Sequence, residues 1–93
     1  MKYKLKDNIQ IDTFEQYIII TKKENDEISL SKAIVLEDIS KLIVESIIQN
    51  ISEEQIIEKI INEYDILKEI AIKDFCKFIK ELINIGIIED GRW

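Results

Sequence analysis

Among the side chains of this 93-residue chain whose chemistry could serve a reaction are three pairs of adjacent carboxylates and one cysteine. They are Glu37 and Asp38, Glu53 and Glu54, Glu89 and Asp90, and Cys76. Paired carboxylates can act as general acid and general base, and a thiolate can act as a nucleophile. The carboxylate pairs, however, fall at predicted helix starts or near the carboxyl terminus, where capping and the helix dipole account for them.

The groups that would activate these side chains are missing from the sequence. There is no histidine to activate Cys76, and one cysteine without histidine cannot form the usual zinc site. Two glycines, Gly86 and Gly91, do not make a phosphate-binding loop. A domain of this size also leaves little room for a large active-site cavity. The sequence therefore predicts a protein that is not an enzyme and that holds no metal or cofactor.

Cysteine count and hydropathy predict the compartment. A single cysteine excludes an internal disulfide and fits a reducing compartment. The longest apolar runs, such as 17–20 and 33–36, are four residues long, whereas about 20 are needed to span a bilayer. Nothing after residues 1–6 resembles a signal peptide. We expect one cytoplasmic domain over residues 1–93, without a membrane partner.

The net charge of −6 is unevenly distributed. Residues 37–69 hold three lysines and nine acidic residues, whereas basic and acidic residues balance over 1–36 and over 70–93. Binding to nucleic acid depends on Lys and Arg that neutralise phosphates. The acidic middle third therefore predicts a protein with no nucleic-acid partner.

The first third of the chain has the pattern of short antiparallel strands. Ile9–Asp12 alternates, Tyr17–Thr21 is a β-branched run, and Ile28–Leu30 alternates again after a polar connection. The third strand is predicted to continue irregularly toward Val35. A sheet this small must expose an edge, and no proline blocks that edge against pairing with another chain.

The remainder has the pattern of three helices. Asp38 can cap the first, Ser52–Gln55 has the form of a capping box for the second, and the third lies within the segment 70–88. Gly86 is predicted to stop the third helix, with Ile87 touching Leu82. Two or three strands in a small antiparallel sheet, followed by three helices, predict an α+β domain of winged-helix type.

The apolar residues of the third helix cover about half of its circumference, which is more than the ~100° that packing against a core requires. At about 100° per residue they form two neighbouring stripes, with a basic edge beyond the second. The stripes are Ala71, Phe75, Phe78, Leu82 and Ile85, then Ile72, Cys76, Ile79 and Ile83, and the edge is Lys73, Lys77 and Lys80.

Several motifs follow one another in the second half of the chain: Leu36-Glu37-Asp38-Ile39, Tyr64-Asp65, Asp74-Phe75 followed by Phe78-Ile79-Lys80-Glu81-Leu82, and Gly86-Ile87-Ile88. Their order and spacing resemble the PqqD-like family, the RiPP recognition elements, over roughly residues 9 to 88. The family often has Leu-Asn where this chain has Leu36-Glu37, and glycine where it has Gln49-Asn50.

The resemblance implies that the chain binds the leader of a ribosomally made precursor peptide. In that family the leader adds as a strand between the third strand and the third helix, and a separate maturation enzyme, such as a protease, cyclase or radical enzyme, acts on the peptide. The implied strand side is Ile28, Leu30, Ala33 and Val35. The implied helix side is Ile72, Cys76, Ile79 and Ile83, with Lys73, Lys77 and Lys80 at a rim that would meet acidic leader residues.

Three alternatives are left open by the residues. In the first, the wide apolar face is buried in full and the lysines are merely solvated. A winged-helix DNA-binding regulator would use the lysine stripe, and a structural or dimerisation subunit would use the apolar margin, or the edge strand to form a homodimer. One substitution separates leader binding from full burial: Ile79→Glu is predicted to remove peptide binding but keep the fold, whereas unfolding would favour burial.

Overall fold

Short strands and three helices follow one another in residues 3–24, 27–28 and 33–90, which this computed structural model describes. The helices are α1 (Ile39–Ile48), α2 (Glu53–Tyr64) and α3 (Lys68–Asn84). The strands are β1 (Tyr3–Leu5), β2 (Ile9–Thr13), β3 (Tyr17–Glu24), β4 (Glu27–Ile28), β5 (Ile34–Glu37) and β6 (Ile88–Asp90). The predicted α+β, winged-helix-like order of a small sheet followed by three helices is confirmed.

The central strand of the main sheet is β3, which pairs antiparallel with β2 on one side. On its other side it pairs with β5 through its first half and with β4 through its last two residues. β4 and β5 therefore share the position of the third predicted strand. Ile28 lies in β4, opposite Lys23, and the predicted strand residue Leu30 lies outside the described residues.

A second, two-stranded sheet joins β1 to β6 and was not predicted. Its antiparallel register sets Tyr3 opposite Asp90 and Leu5 opposite Ile88. The ring of Tyr3 meets the buried ring of Phe75 edge-on, with centroids 6.3 Å apart. Strands of three residues are too short to show a reliable alternation pattern in the sequence. β1 and β6 are therefore recognised only from their pairing in the folded chain.

Two of the predicted helix starts differ in how they are capped. Ser52 caps α2, because its Oγ accepts a hydrogen bond from the Gln55 N–H, as predicted. Asp38 precedes α1 but makes no side-chain cap, so that prediction is wrong. Its φ of 56° lies outside the extended region that an N-cap side chain needs to reach back to the helix. Asn50, which follows α1, also has a positive φ of 61°, which Asn tolerates well.

The core lies between the inner face of the sheet and the three helices. β3 contributes Ile18 and Ile20, and α3 contributes its buried stripe. The buried apolar residues of the described chain are Ile18, Ile20, Ile43, Val44, Ile47, Ile56, Ile60, Ala71, Phe75, Ile79, Leu82, Ile87 and Ile88. Within the described part of the chain, no helix is both long and apolar enough to cross a bilayer.

The predicted glycine stop of α3 is confirmed. Gly86 has a φ of 81°, and its N–H donates to the Ile83 carbonyl at 3.1 Å. The N–H of Ile87 donates to the Leu82 carbonyl at 2.9 Å, which completes the paired bonds of a Schellman motif. The Lys22 ammonium also donates to the Ile85 carbonyl. This stop sends the chain directly into β6.

Gly86→Ala is expected to lower the free energy of unfolding by about 1–2 kcal/mol, because alanine is strained at positive φ. The added Cβ would lie 3.0 Å from the Lys22 Nζ, which can move aside, so the backbone accounts for most of the loss. Urea unfolding followed by circular dichroism measures it. Asn50→Gly, at the other left-handed position, serves as the control and should not destabilise. An unchanged midpoint for Gly86→Ala would contradict this account.

Candidate functional site

The hydrogen bonds of the β2–β3 hairpin show which way the backbone of β3 points. The Phe14 N–H donates to the Tyr17 carbonyl, and the Lys23 N–H donates to the Asn8 carbonyl, each at 2.8 Å. In an antiparallel strand the N–H and C=O of one residue point to the same side, and successive residues alternate. The odd-numbered residues of β3 therefore bond to β2, and the even-numbered residues point toward β5.

This alternation leaves a free edge on β5. The register pairs Ile18 with Leu36 and Ile20 with Ile34, so those residues of β5 bond to β3. Val35, between them, points its N–H and C=O the other way, and Glu37 does the same. No strand of the described chain pairs with β5 on that side. The edge can therefore accept a further strand.

The side chains of β5 alternate between the two faces of the sheet. Ile34 and Leu36 are half-buried and pack against the core, whereas Val35 is 59% exposed on the opposite face. Ala33, just before the strand, is exposed as well. Of the predicted strand-side residues, Val35 thus brings its backbone, not its side chain, to the helix side of the edge. Ile34 and Leu36 supply the side chains there.

A cleft of about 280 Å³ opens between the start of α1 and one flank of α3. α1 begins two residues after β5 ends, so the cleft lies beside the end of that strand. Its lining is Ile39, Ser40 and Ile43 from α1, and Asp74, Lys77, Phe78 and Glu81 from α3.

A second cavity, of about 430 Å³, identifies the side of α1 on which this cleft lies. The cavity is bounded by the β2–β3 hairpin tip at Glu15 and Gln16, and by Lys41 and Glu45 from α1. The hairpin lies on the β3 side of β5, and the cleft shares no lining residue with this cavity. We infer that the cleft opens on the side of the free edge.

The second cavity is polar and acidic. The Lys41 Nζ forms an ion pair with the Glu45 Oε1 at 2.7 Å. Burial raises the pKa of Tyr64, and the charges of Asp38 and Glu63 raise it further. A raised phenol pKa keeps Tyr64 uncharged at neutral pH. We assign this cavity no part in peptide recognition.

A line of exposed apolar residues continues the cleft along α3. Leu67 is 71% exposed and Ile70 47%, Ile85 is exposed, and Phe78 is half-buried. At about 100° per residue these four lie within about 80° of one another and share a face with Asp74 and Glu81. From 67 to 85 the line extends about 27 Å. We call the free β5 edge, the cleft and this line the strand–helix groove.

Most predicted helix-side residues lie elsewhere on α3. Ile72, Cys76 and Ile83, with Lys73 and Lys80, are turned about 120° to 160° around the helix from Phe78 and are absent from the lining of the cleft. Ile72, Cys76 and the two lysines are exposed, and Ile83 is half-buried. Lys77 is the predicted residue that lines the cleft.

Ile79 requires a correction. It is 2% exposed and belongs to the core with Phe75 and Leu82. Its side chain therefore cannot line an accessible surface, and the prediction that it contacts a peptide while being dispensable for the fold is not supported. The core stripe of α3 is centred on Phe75 and takes in Ile79, which the wheel placed at the margin.

The sequence contained a partial signal for the residues that were missed. Asp74 and Phe78 belong to the segment that carries the family resemblance, so that motif could have indicated them. Ile34 and Leu36 were missed because the sequence did not fix the register of the third strand. A shift of one residue moves every side chain to the other face of the sheet. The cleft is also less basic than predicted, since Lys77 stands between Asp74 and Glu81.

These features define a winged-helix-like α+β fold with an open strand–helix groove. The solved structure of TbiB1 in complex with the TbiA(beta) leader peptide shares this fold, with a TM-score of 0.80 and 16% sequence identity. The match covers 92% of this chain and 94% of that one. No protein-family model and no curated protein matches the sequence. The comparison confirms the α+β, winged-helix-like fold that the order of strands and helices predicted.

Proposed function

We propose that this chain is a non-catalytic recognition domain for the leader segment of a ribosomally made precursor peptide, held in the strand–helix groove. The observations that carry the proposal are the free edge of β5 and the exposed apolar line on α3. By holding the leader, the domain would present the rest of the peptide to a separate maturation enzyme.

Strand addition accounts for how one groove would bind such a peptide. The N–H and C=O of Val35 and Glu37 supply main-chain hydrogen bonds, which give affinity without reading sequence. Alternate peptide side chains then point toward the helices, where they meet Leu36 and Phe78. At about 3.3 Å per residue, the ~27 Å line on α3 spans about eight peptide residues.

Selectivity would come from the apolar pockets and the mixed charges of α3. An apolar anchor fits against Phe78. The flanking Asp74, Lys77 and Glu81 favour a peptide of mixed charge, whereas the sequence predicted contacts with acidic leader residues. The fold shared with TbiB1, which is solved with a leader peptide bound, supports this assignment of the groove.

Fluorescence polarisation of a labelled leader peptide tests the proposal. The peptide is taken from a short precursor encoded beside this gene, with a scrambled peptide and a random DNA duplex as controls. Saturable binding of the leader at micromolar concentration or tighter, with no binding of either control, is expected. Binding of the duplex alone would replace this function with DNA recognition. Binding of the scrambled peptide with the same affinity as the leader would refute recognition of the leader sequence.

Two exposed isoleucines on opposite flanks of α3 locate the site. Ile70→Glu places a carboxylate in the groove and is expected to weaken leader binding by about tenfold or more. Ile72 is 38% exposed, close to the 47% of Ile70, but faces away from the groove, so Ile72→Glu should bind normally. The same polarisation titration measures both. The reverse result would move the site to the flank of Ile72, Cys76 and Ile83.

A further inference from the structure

The outward face of the main sheet carries an apolar patch near the β2–β3 hairpin. Phe14, which is 45% exposed, stacks on the exposed ring of Tyr17, with centroids 4.8 Å apart and ring planes 21° apart. Ile19 and Val35 are cross-strand partners on the same face. Further along β3, Thr21 is buried, which confines the patch to the hairpin end. We call these four apolar residues the outer-face patch.

Acidic side chains border the outer-face patch. Asp12 pairs with Ile19 in the register, Glu37 pairs with Tyr17, and Glu15 lies at the hairpin tip. All three are exposed. Among the described residues of this face, the basic side chain is that of Lys23, which lies at the opposite end of β3. Exposed aromatic rings inside a charged border are typical of protein–protein interfaces.

The outer-face patch and the strand–helix groove lie on opposite faces of the sheet. The pleat that turns Ile34 and Leu36 toward the helices turns Val35 toward the patch. A peptide added to the edge of β5 would leave the rings of Phe14 and Tyr17 uncovered. Both surfaces can therefore be occupied at once.

We propose that the outer-face patch docks the separate maturation enzyme, through an apolar surface of that enzyme bordered by Lys or Arg side chains; this rests on the proposed leader-binding function. Charge complementarity with Asp12, Glu15 and Glu37 identifies a basic border. A second copy of this chain is disfavoured, because a symmetric contact would bring the acidic border of one copy against that of the other. The domain would hold the leader on one face and the enzyme on the other.

Biolayer interferometry tests this with the purified maturation enzyme encoded beside the precursor gene. Phe14→Ser is expected to weaken enzyme binding by about tenfold or more, and Glu15→Lys is expected to slow association and reduce its dependence on salt. Ile48→Ser is the matched control, since Ile48 is an apolar residue at the end of α1 that is about as exposed as Phe14.

Leader binding is measured by fluorescence polarisation on the same variants and separates the two proposals. Normal leader affinity with weakened enzyme binding for Phe14→Ser supports docking at the patch. Enzyme binding that is absent in the wild type, or equal in Phe14→Ser and Ile48→Ser, overturns the docking proposal but leaves leader recognition intact. A wild-type protein that does not bind the leader would refute leader recognition, and the docking proposal with it.

Discussion

Val35→Pro is expected to weaken leader binding by about tenfold to a hundredfold while the protein stays folded. Proline has no N–H, so the substitution removes one donor from the free edge of β5 and places its ring where the added strand would approach. A buried acceptor of the peptide left without its partner costs about 1–3 kcal/mol. The fold is expected to survive, because the Val35 N–H points away from β3 and proline is tolerated on edge strands.

Leu36→Pro provides the contrast for this prediction. The N–H of Leu36 points toward β3, so proline there breaks a ladder bond inside the sheet and should destabilise the domain. Polarisation titration measures peptide affinity, and thermal unfolding by circular dichroism measures stability. A Val35→Pro protein that is folded and binds the leader with wild-type affinity would refute strand addition at this edge.

Ile79→Glu is expected to unfold the domain. The side chain is 2% exposed in the core, and an uncompensated buried carboxylate, together with the lost apolar packing, costs more than about 4 kcal/mol. Small domains have only about 5–15 kcal/mol of stability in total. Circular dichroism and urea unfolding should show little or no cooperative transition at neutral pH.

The controls for Ile79→Glu separate burial from general sensitivity of α3. Lys80→Glu, at the next and exposed position, should unfold with nearly the wild-type midpoint, and Ile79→Val should lose about 0.5–1.5 kcal/mol. An Ile79→Glu protein that folds normally and fails to bind the leader would restore the surface role that the helical wheel predicted.

Local sequence signals were sufficient for most of the elements. Strand alternation in 9–12 and the β-branched run at 17–21 predicted β2 and β3, and the capping box at Ser52 and the glycine stop at Gly86 predicted two helix boundaries. Each depends on neighbours within a few residues, so no tertiary information is needed. Asp38 failed as a cap because its backbone is set by the strand-to-helix connection, which no local pattern encodes.

The chain by itself determined that α3 has more apolar surface than a core requires and that the small sheet has an unblocked edge. Only the tertiary structure decided that the flank of α3 with Phe78, rather than that of Ile72 and Cys76, lines a cleft with the start of α1. A helical wheel gives the angles between side chains but no direction in space. That direction is fixed when α3 packs through Phe75 and Ile79 against the sheet, a contact between residues far apart in sequence.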